Sequence, residues 1–252
     1  MARLALDGVP VHLLARRWRA PHARVFDQLP STLDTIHALG AAGAPAGTVV
    51  LAEEQTAGRG RDGRTWRSPL GGVWLGLLLR PTACTATPGA MALRVGLVVA
   101  DVVDELLGEP ATRLKWPNDV LLGDRKLGGI LCEGRWQGDA MQWLAVGIGI
   151  NVANAIPAEL ATRAVALAEL GSEIRRIDVL DRLVPALLPL TTHHAPLSDV
   201  ETAAFARRDW LRGRLLTGPV AGRAAGVQAD GALVVETGTG PQMVREGHVE
   251  LS

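Results

Sequence analysis

The sequence predicts an α+β protein: a mixed, largely antiparallel sheet with helices packed on it, followed by a small all-β unit. Three observations predict it. Apolar, β-branched runs recur with turn chemistry between them, so strands join mostly as hairpins and not as alternating βαβ units. A long segment opening at Pro88 carries Val95, Val98, Val99, Val102 and Leu106 at a helical period. From Gly213 onward the texture becomes short strands and glycine turns. With 252 residues, 48% of them hydrophobic, the chain can bury a large core.

Taken in order, residues 1–24 are arginine-rich and weakly patterned, and are expected to form a loosely packed N-terminal extension. Residues 25–212 form the main body and 213–252 the appendage. Ser31 is suited to cap a short helix, with Asp34 at the capping-box position and Leu33 and Ile36 facing inward. Gly47–Gln55 and Gly72–Arg80 read as strands separated by a Gly/Arg loop. Pro88 sits where a helix tolerates proline, at its first turn. Thr112–Trp116 is a strand stopped by Pro117, and Val120–Cys132 is a hairpin turning at Gly123-Asp124. Gly138 to Ala140 turns into a strand ending at Asn151, whose glycines admit close approach of a backbone or ligand. Ile177–Leu190 and Asp199–Leu211 read as helices.

The 26 basic and 26 acidic side chains balance, which weighs against a protein whose main work is gripping nucleic acid. Two separated cysteines, Cys84 and Cys132, suit a reducing compartment as ordinary buried thiols. No apolar run of about 18 residues and no signal-peptide pattern occurs, so a cytoplasmic protein is expected. Only two of the 26 basic residues are lysines, Lys115 and Lys126. Where arginine is the default cation, a retained lysine suggests a site needing a compact ammonium.

Three clusters carry chemistry. The first, AGRGRDGRTWRSP, spells G-x-G-x-x-G through Gly58, Gly60 and Gly63. A dinucleotide fingerprint needs a helix opening at those glycines, and Pro69 and a strand follow instead. What remains is a loop in which Arg59, Arg61, Arg64 and Arg67 offer forks to anions and Trp66 offers a flat face. The second, KWPND through DRKLGGIL, holds both lysines. Asn118 presents donor and acceptor together, suited to an adenine edge, and Asp119 suits magnesium; a surface hairpin accounts for the same residues. The third, GIGINV, places Asn151 at a strand end, where ligands gather. His193-His194 reads as a surface pair, and Trp136, Trp143 and Trp210 as packing.

These three motifs, in this order and spacing, resemble the catalytic core of biotin protein ligases over roughly residues 25 to 250. The resemblance implies a biotin/lipoate ligase-like core with an SH3-like β-barrel C-terminal domain. It implies that biotin and MgATP give biotinyl-5′-AMP, whose acyl group passes to one lysine of a biotin carboxyl carrier protein. Ser31, Thr32 and Gln55 match biotin-ring contacts, and Arg59, Gly60 and Arg61 match the loop that folds over biotin and its adenylate. Lys126 matches the lysine at the biotin carboxylate and α-phosphate, with Arg61 as its catalytic companion. Trp66, Lys115, Asn118 and Asn151 match the nucleotide side, and Asp119 the magnesium side. Dimers through the central sheet are common in the family the sequence resembles, so the resemblance allows a homodimer, and a ligase without an operator-binding domain is expected. Pro30 and Leu33 depart from the family's D-S-T-N, and Ala164–Leu170 lacks a customary hydroxyl. Lipoate ligation or octanoyl transfer on the same core, an RNA-binding module and a non-catalytic biotin-binding paralogue remain alternatives.

Overall fold

The computed structural model describes residues 1–81, 87–171, 173–191 and 195–252. Cys84 and the His193-His194 pair lie outside them. The chain runs β1 (Ala2–Arg3), β2 (Ala5–Leu6), β3 (Val9–Pro10), α1 (Val11–Trp18), β4 (Ala23–Leu29), α2 (Thr32–Ala41), β5 (Val49–Gln55) and β6 (Val73–Leu79). It continues with α3 (Pro88–Leu107), β7 (Thr112–Lys115), β8 (Asp119–Leu122), β9 (Arg125–Gln137), β10 (Ala140–Ile150), α4 (Arg176–Leu187) and α5 (Asp199–Arg208). The last strands are β11 (Leu215–Gly218), β12 (Gly222–Val227), β13 (Leu233–Thr237), β14 (Gly240–Val244) and β15 (Glu250–Leu251).

Eight strands form one sheet in the order β1-β4-β5-β6-β10-β9-β8-β7. Its pairs are antiparallel except β4 with β5, which are parallel and joined across α2. That single crossover unit stands apart from the hairpin pattern. Strand β6 is buried at every position, which explains its unbroken apolar run: α2 covers one face of the sheet and the larger core the other. Ser31 caps α2 by accepting from Leu33 N (3.3 Å). Thr87 caps α3 by accepting from Ala90 N (3.0 Å), and Gly108 closes that helix in the left-handed conformation.

The N-terminal residues are not loosely packed. Leu14 and Trp18 of α1 are fully buried, and Trp18 Nε1 donates to Asp181 on α4 (2.9 Å). Buried Glu53 on β5 binds both Arg3 (2.7 Å) and Arg176 (2.6 Å), tying β1 and α4 to the sheet. The apolar period of α1 spans only eight residues among arginines, too short a window to register in sequence.

The C-terminal strands form a five-stranded antiparallel sheet in the order β14-β13-β12-β11-β15, with its two outer strands not paired to each other, so the expected barrel closure is not seen. It sits hard against the main body. Trp116 Nε1 donates to Gly231 O (2.9 Å), and a Cβ on Gly231 would lie 2.6 Å from Ala90 N at the start of α3. No described helix is long and apolar enough to cross a membrane.

Helices α3 and α5 are joined by Arg94, itself 2% exposed, whose Nη2 donates to Glu201 (3.0 Å). Burial opposes ionisation of Glu201, but the Arg94 guanidinium and the Ser198 backbone outweigh it and hold the carboxyl at about 2, against an ordinary 4.5. A depressed carboxylate stabilises the fold above its unfolded value and loses that contribution as pH falls through its folded value. Resistance to urea is therefore expected to fall as pH drops from 4.5 to 2, by on the order of 2 kcal/mol from this group, and Glu201→Gln should flatten that part of the profile.

Candidate functional site

The site begins with the absence of side chains. On β9 and β10, Gly129 pairs with Gly149, and Gly147 with Leu131. A Cβ on Gly149 would lie 2.6 Å from Trp66 Nε1, and one on Gly147 would lie 3.0 Å from Leu33 Cγ. The glycines thus make a flat floor on which the Trp66 indole rests, and a cleft of about 170 Å³ opens beside it. Trp66 meets Trp74 edge-on, with ring centroids 6.4 Å apart. Its buried Nε1 has no hydrogen-bond partner among the described residues.

One wall of the cleft is polar and buried. Ser31 and Thr32 are 1% and 3% exposed. Gln55 Oε1 accepts from Thr32 N (2.8 Å) and Thr32 Oγ1 (3.2 Å), while Gln55 Nε2 donates to Ser68 Oγ (2.7 Å). Gln55 therefore fastens the start of α2 to the end of the arginine loop. The loop is a ladder: Trp66 N donates to Gly58 O (2.9 Å), Gly60 N to Arg64 O (2.7 Å) and Gln55 N to Ser68 O (3.0 Å). A Cβ at Gly58 would lie 2.4 Å from Trp66 O, so glycine there is a packing requirement. Only a single 3₁₀ turn, Arg61–Gly63, interrupts it, which disposes of any dinucleotide helix.

The four loop arginines have different fates. Arg67 does not line this cleft and pairs with Glu159 (3.1 Å). Arg59 lies between two carboxylates, Asp34 and Glu133 (3.0 Å to the latter). Arg61 and Arg64 line the cleft and form no ion pair among the described residues. Lys115 and Lys126 line it too. Lys126 Nζ is 2.6 Å from Asp119 and 5.0 Å above the Trp66 ring. Burial lowers the Lys115 ammonium from its usual 10.5; Asp119 opposes this, while Lys126, Arg214 and Arg64 push it down further. That crowding of positive charge in a chain of zero net charge marks an anion site.

Asn118 lines the cleft, with Nδ2 donating to Ile130 O (2.7 Å), so it also locks the turn between β7 and β8. Asn151 does not line it. It lies in an adjoining cleft of about 390 Å³ that shares Trp66, Thr65 and Lys126 with the first. There its Oδ1 accepts from Asn154 Nδ2 (3.1 Å), and both asparagines are buried. Trp66 and Lys126 thus stand at the junction of two clefts.

Several residues here were not singled out from sequence. Gly247 and His248, from the C-terminal sheet, line the first cleft. Burial, Arg64 and Lys115 lower the His248 imidazole below its usual 6.5, against Asp119 and Glu250, which favours its neutral form. Nothing in sequence connects position 248 to the loop. Trp136 packs only in part, 48% exposed with its indole over Gly134, whereas Trp143 and Trp210 are held by hydrogen bonds to His37 (3.0 Å) and Asp124 (2.7 Å). Cys132 is half-buried, not fully buried as expected, and desolvation pushes its thiol up to about 12, which disfavours the thiolate.

Comparison with known proteins agrees with this geometry. The model of the biotin/lipoate A/B protein ligase family matches residues 25–151. The bifunctional ligase/repressor BirA of Bacillus subtilis is 34% identical over 91% of this chain and 74% of its own. The biotin–[acetyl-CoA-carboxylase] ligase of Paracoccus denitrificans is 35% identical over 79% of this chain and 88% of its own. The biotin protein ligase of Aquifex aeolicus, solved with biotin and ATP, superposes with a TM-score of 0.74 at 28% identity, covering 92% of this chain and 99% of that one.

The glycine floor is testable without any ligand. Gly149→Val must lift the indole of Trp66, and near-ultraviolet circular dichroism should change in the tryptophan region, with a stability loss of about 1–3 kcal/mol from overpacking. An unchanged spectrum would mean that Trp66 does not rest on β10.

Proposed function

This chain belongs to the biotin/lipoate A/B protein ligase family and carries biotin protein ligase activity, biotinylating a carboxyl carrier protein through biotinyl-5′-AMP; we propose how its residues divide that work. Biotin takes the glycine-floored cleft, its ureido ring toward the wall built on Ser31, Thr32 and Gln55. The nucleotide base takes the adjoining cleft beside Asn151. The observation that carries this reading is the junction: Lys126 and Trp66 line both clefts, and Arg61, Arg64 and Lys115 line the first of them.

The chemistry needs such a junction. Biotin's carboxylate must reach the α-phosphorus of ATP in line, and two unit negative charges ~4 Å apart repel by about 4 kcal/mol at an effective dielectric near 20. Catalysis is then mostly positioning and neutralisation of anions already in place. In our reading the Lys126 ammonium leaves Asp119 for the carboxylate and α-phosphate, and Arg61, Arg64 and Lys115 take the phosphate oxygens. Magnesium binds through one or two carboxylates plus substrate phosphates, and the described residues hold no cluster of three or more metal-binding side chains. Asp119 would be the carboxylate to meet an ion carried in on ATP, and that ion would neutralise phosphate charge. The mixed anhydride is prone to hydrolysis, and the laddered arginine loop would shield it until the carrier lysine attacks the acyl carbon and AMP leaves. No lysine of this chain is acylated.

Biotin-dependent exchange of labelled pyrophosphate into ATP tests the first step, and transfer to a purified carrier domain the second. Exchange that requires lipoate in place of biotin would overturn the substrate assignment. Lys126→Arg keeps the charge but cannot seat a planar fork beside Gly129, whose Cβ position is 3.3 Å from Lys126 Cε. Exchange should fall about 100-fold or more; near-normal turnover would remove Lys126 from the reaction. Arg61→Gly should release biotinyl-AMP about tenfold faster, the loss of one charge-assisted contact. Release at the normal rate would deny Arg61 its hold on the adenylate.

A further inference from the structure

Arg59 differs from its neighbours in the loop. Its Nη1 binds Asp34 on α2, and its Nη2 donates to Glu133 Oε2 on β9 (3.0 Å). Behind Glu133 stands a relay: Trp143 Nε1 donates to His37 Nδ1 (3.0 Å), and His37 Nε2 lies 2.9 Å from the same Glu133 Oε2. Because Nδ1 accepts from Trp143, the imidazole proton sits on Nε2 and is donated to Glu133. The hydrogen bond from His37 is the largest influence lowering the Glu133 carboxyl; burial opposes it and Arg59 adds to it. Trp143 is itself immobilised, since a Cβ on Gly40 of α2 would lie 2.9 Å from its ring. With His37 neutral, one guanidinium facing two carboxylates is a group of net negative charge, which would repel a phosphate.

We propose that Asp34, Glu133 and His37 form a latch that holds the arginine loop closed through Arg59, making Arg59 a positioning residue for the adenylate and not one of its anion contacts. The proposal rests on the biotin ligase reading for what the loop covers. It does not rest on it for whether the latch exists. Geometry favours a latch that can open. Arg59, Asp34 and Glu133 are 38%, 49% and 32% exposed, so each bridge is weak enough to break within a catalytic cycle. The latch joins α2 to β9 through a single loop residue, Arg59, which itself lines the cleft while Asp34 and Glu133 do not.

Trypsin reads the loop directly, because it cuts after Arg59, Arg61, Arg64 and Arg67. Glu133→Gln and Asp34→Asn should each be cut within the loop about fivefold faster than the parent, the expected effect of losing one half-exposed bridge. Asp34→Glu, which keeps the charge, should restore protection. On the full-length enzyme the same two variants should release preformed biotinyl-AMP about fivefold faster, with the KM for ATP unchanged. Asp34 lies at the surface, so its variant decides the matter if Glu133→Gln unfolds. Parental rates of both cleavage and release would overturn the latch. So would a KM for ATP raised several-fold with loop protection intact, because Arg59 would then be serving as an anion contact. Should the parent form no biotinyl-AMP at all, the ligase reading fails while the trypsin result still decides the latch.

Discussion

The site hangs on the side-chain amide of Gln55. Its oxygen takes both the backbone N–H and the hydroxyl of Thr32, and its nitrogen holds Ser68. One residue at the end of β5 therefore sets the start of α2, the far end of the arginine loop and the position of Trp66 above the glycine floor. Replacing either end of that amide by an apolar group would leave buried polar atoms unpaired, which costs more than the hydrogen bonds themselves contribute. The pocket wall and the loop are consequently one cooperative unit, and the cations on the loop inherit their places from it.

Charge is the second organising fact. The chain is neutral as a whole, yet its cations are sorted. Some are tied off structurally, as Arg3, Arg94 and Arg176 are by Glu53 and Glu201. Others, Arg61, Arg64 and Lys115, face the cleft without an ion-pair partner among the described residues. Lys115, with its ammonium driven below the usual range by burial and by neighbouring cations, shows the electrostatic cost of that arrangement. A polyphosphate would relieve that cost on binding. The C-terminal sheet belongs to the same electrostatic unit, since His248 reaches the cleft from it.

Much of this was legible in sequence because local chemistry and fold agree. The apolar run of β6, the proline and valine period of α3, the Gly123 turn and the Ser31 cap all formed where their residue types predict. The motif residues from Ser31 to Lys126 converge on one cleft, and Asn151 on the next. What was not legible depends on contacts between distant segments. The burial of α1 needs Asp181 and the sheet to be seen. Arg59 and Arg61 are alike as letters, two positions apart, and only the carboxylates at Asp34 and Glu133 separate their roles. His37, Trp143 and His248 carry no local signal at all, since each gains its meaning from a partner some 100 residues away or from another sheet.

The division of labour among the loop arginines is the core of this account, and a crystal structure with biotin and a non-hydrolysable ATP analogue tests it most directly. The expected complex has Lys126 on the biotin carboxylate and α-phosphate, Arg61 and Arg64 on phosphate oxygens, and Arg59 still bridging Asp34 and Glu133. Arg59 swung onto the phosphates, with Arg61 and Arg64 left in solvent, would contradict it.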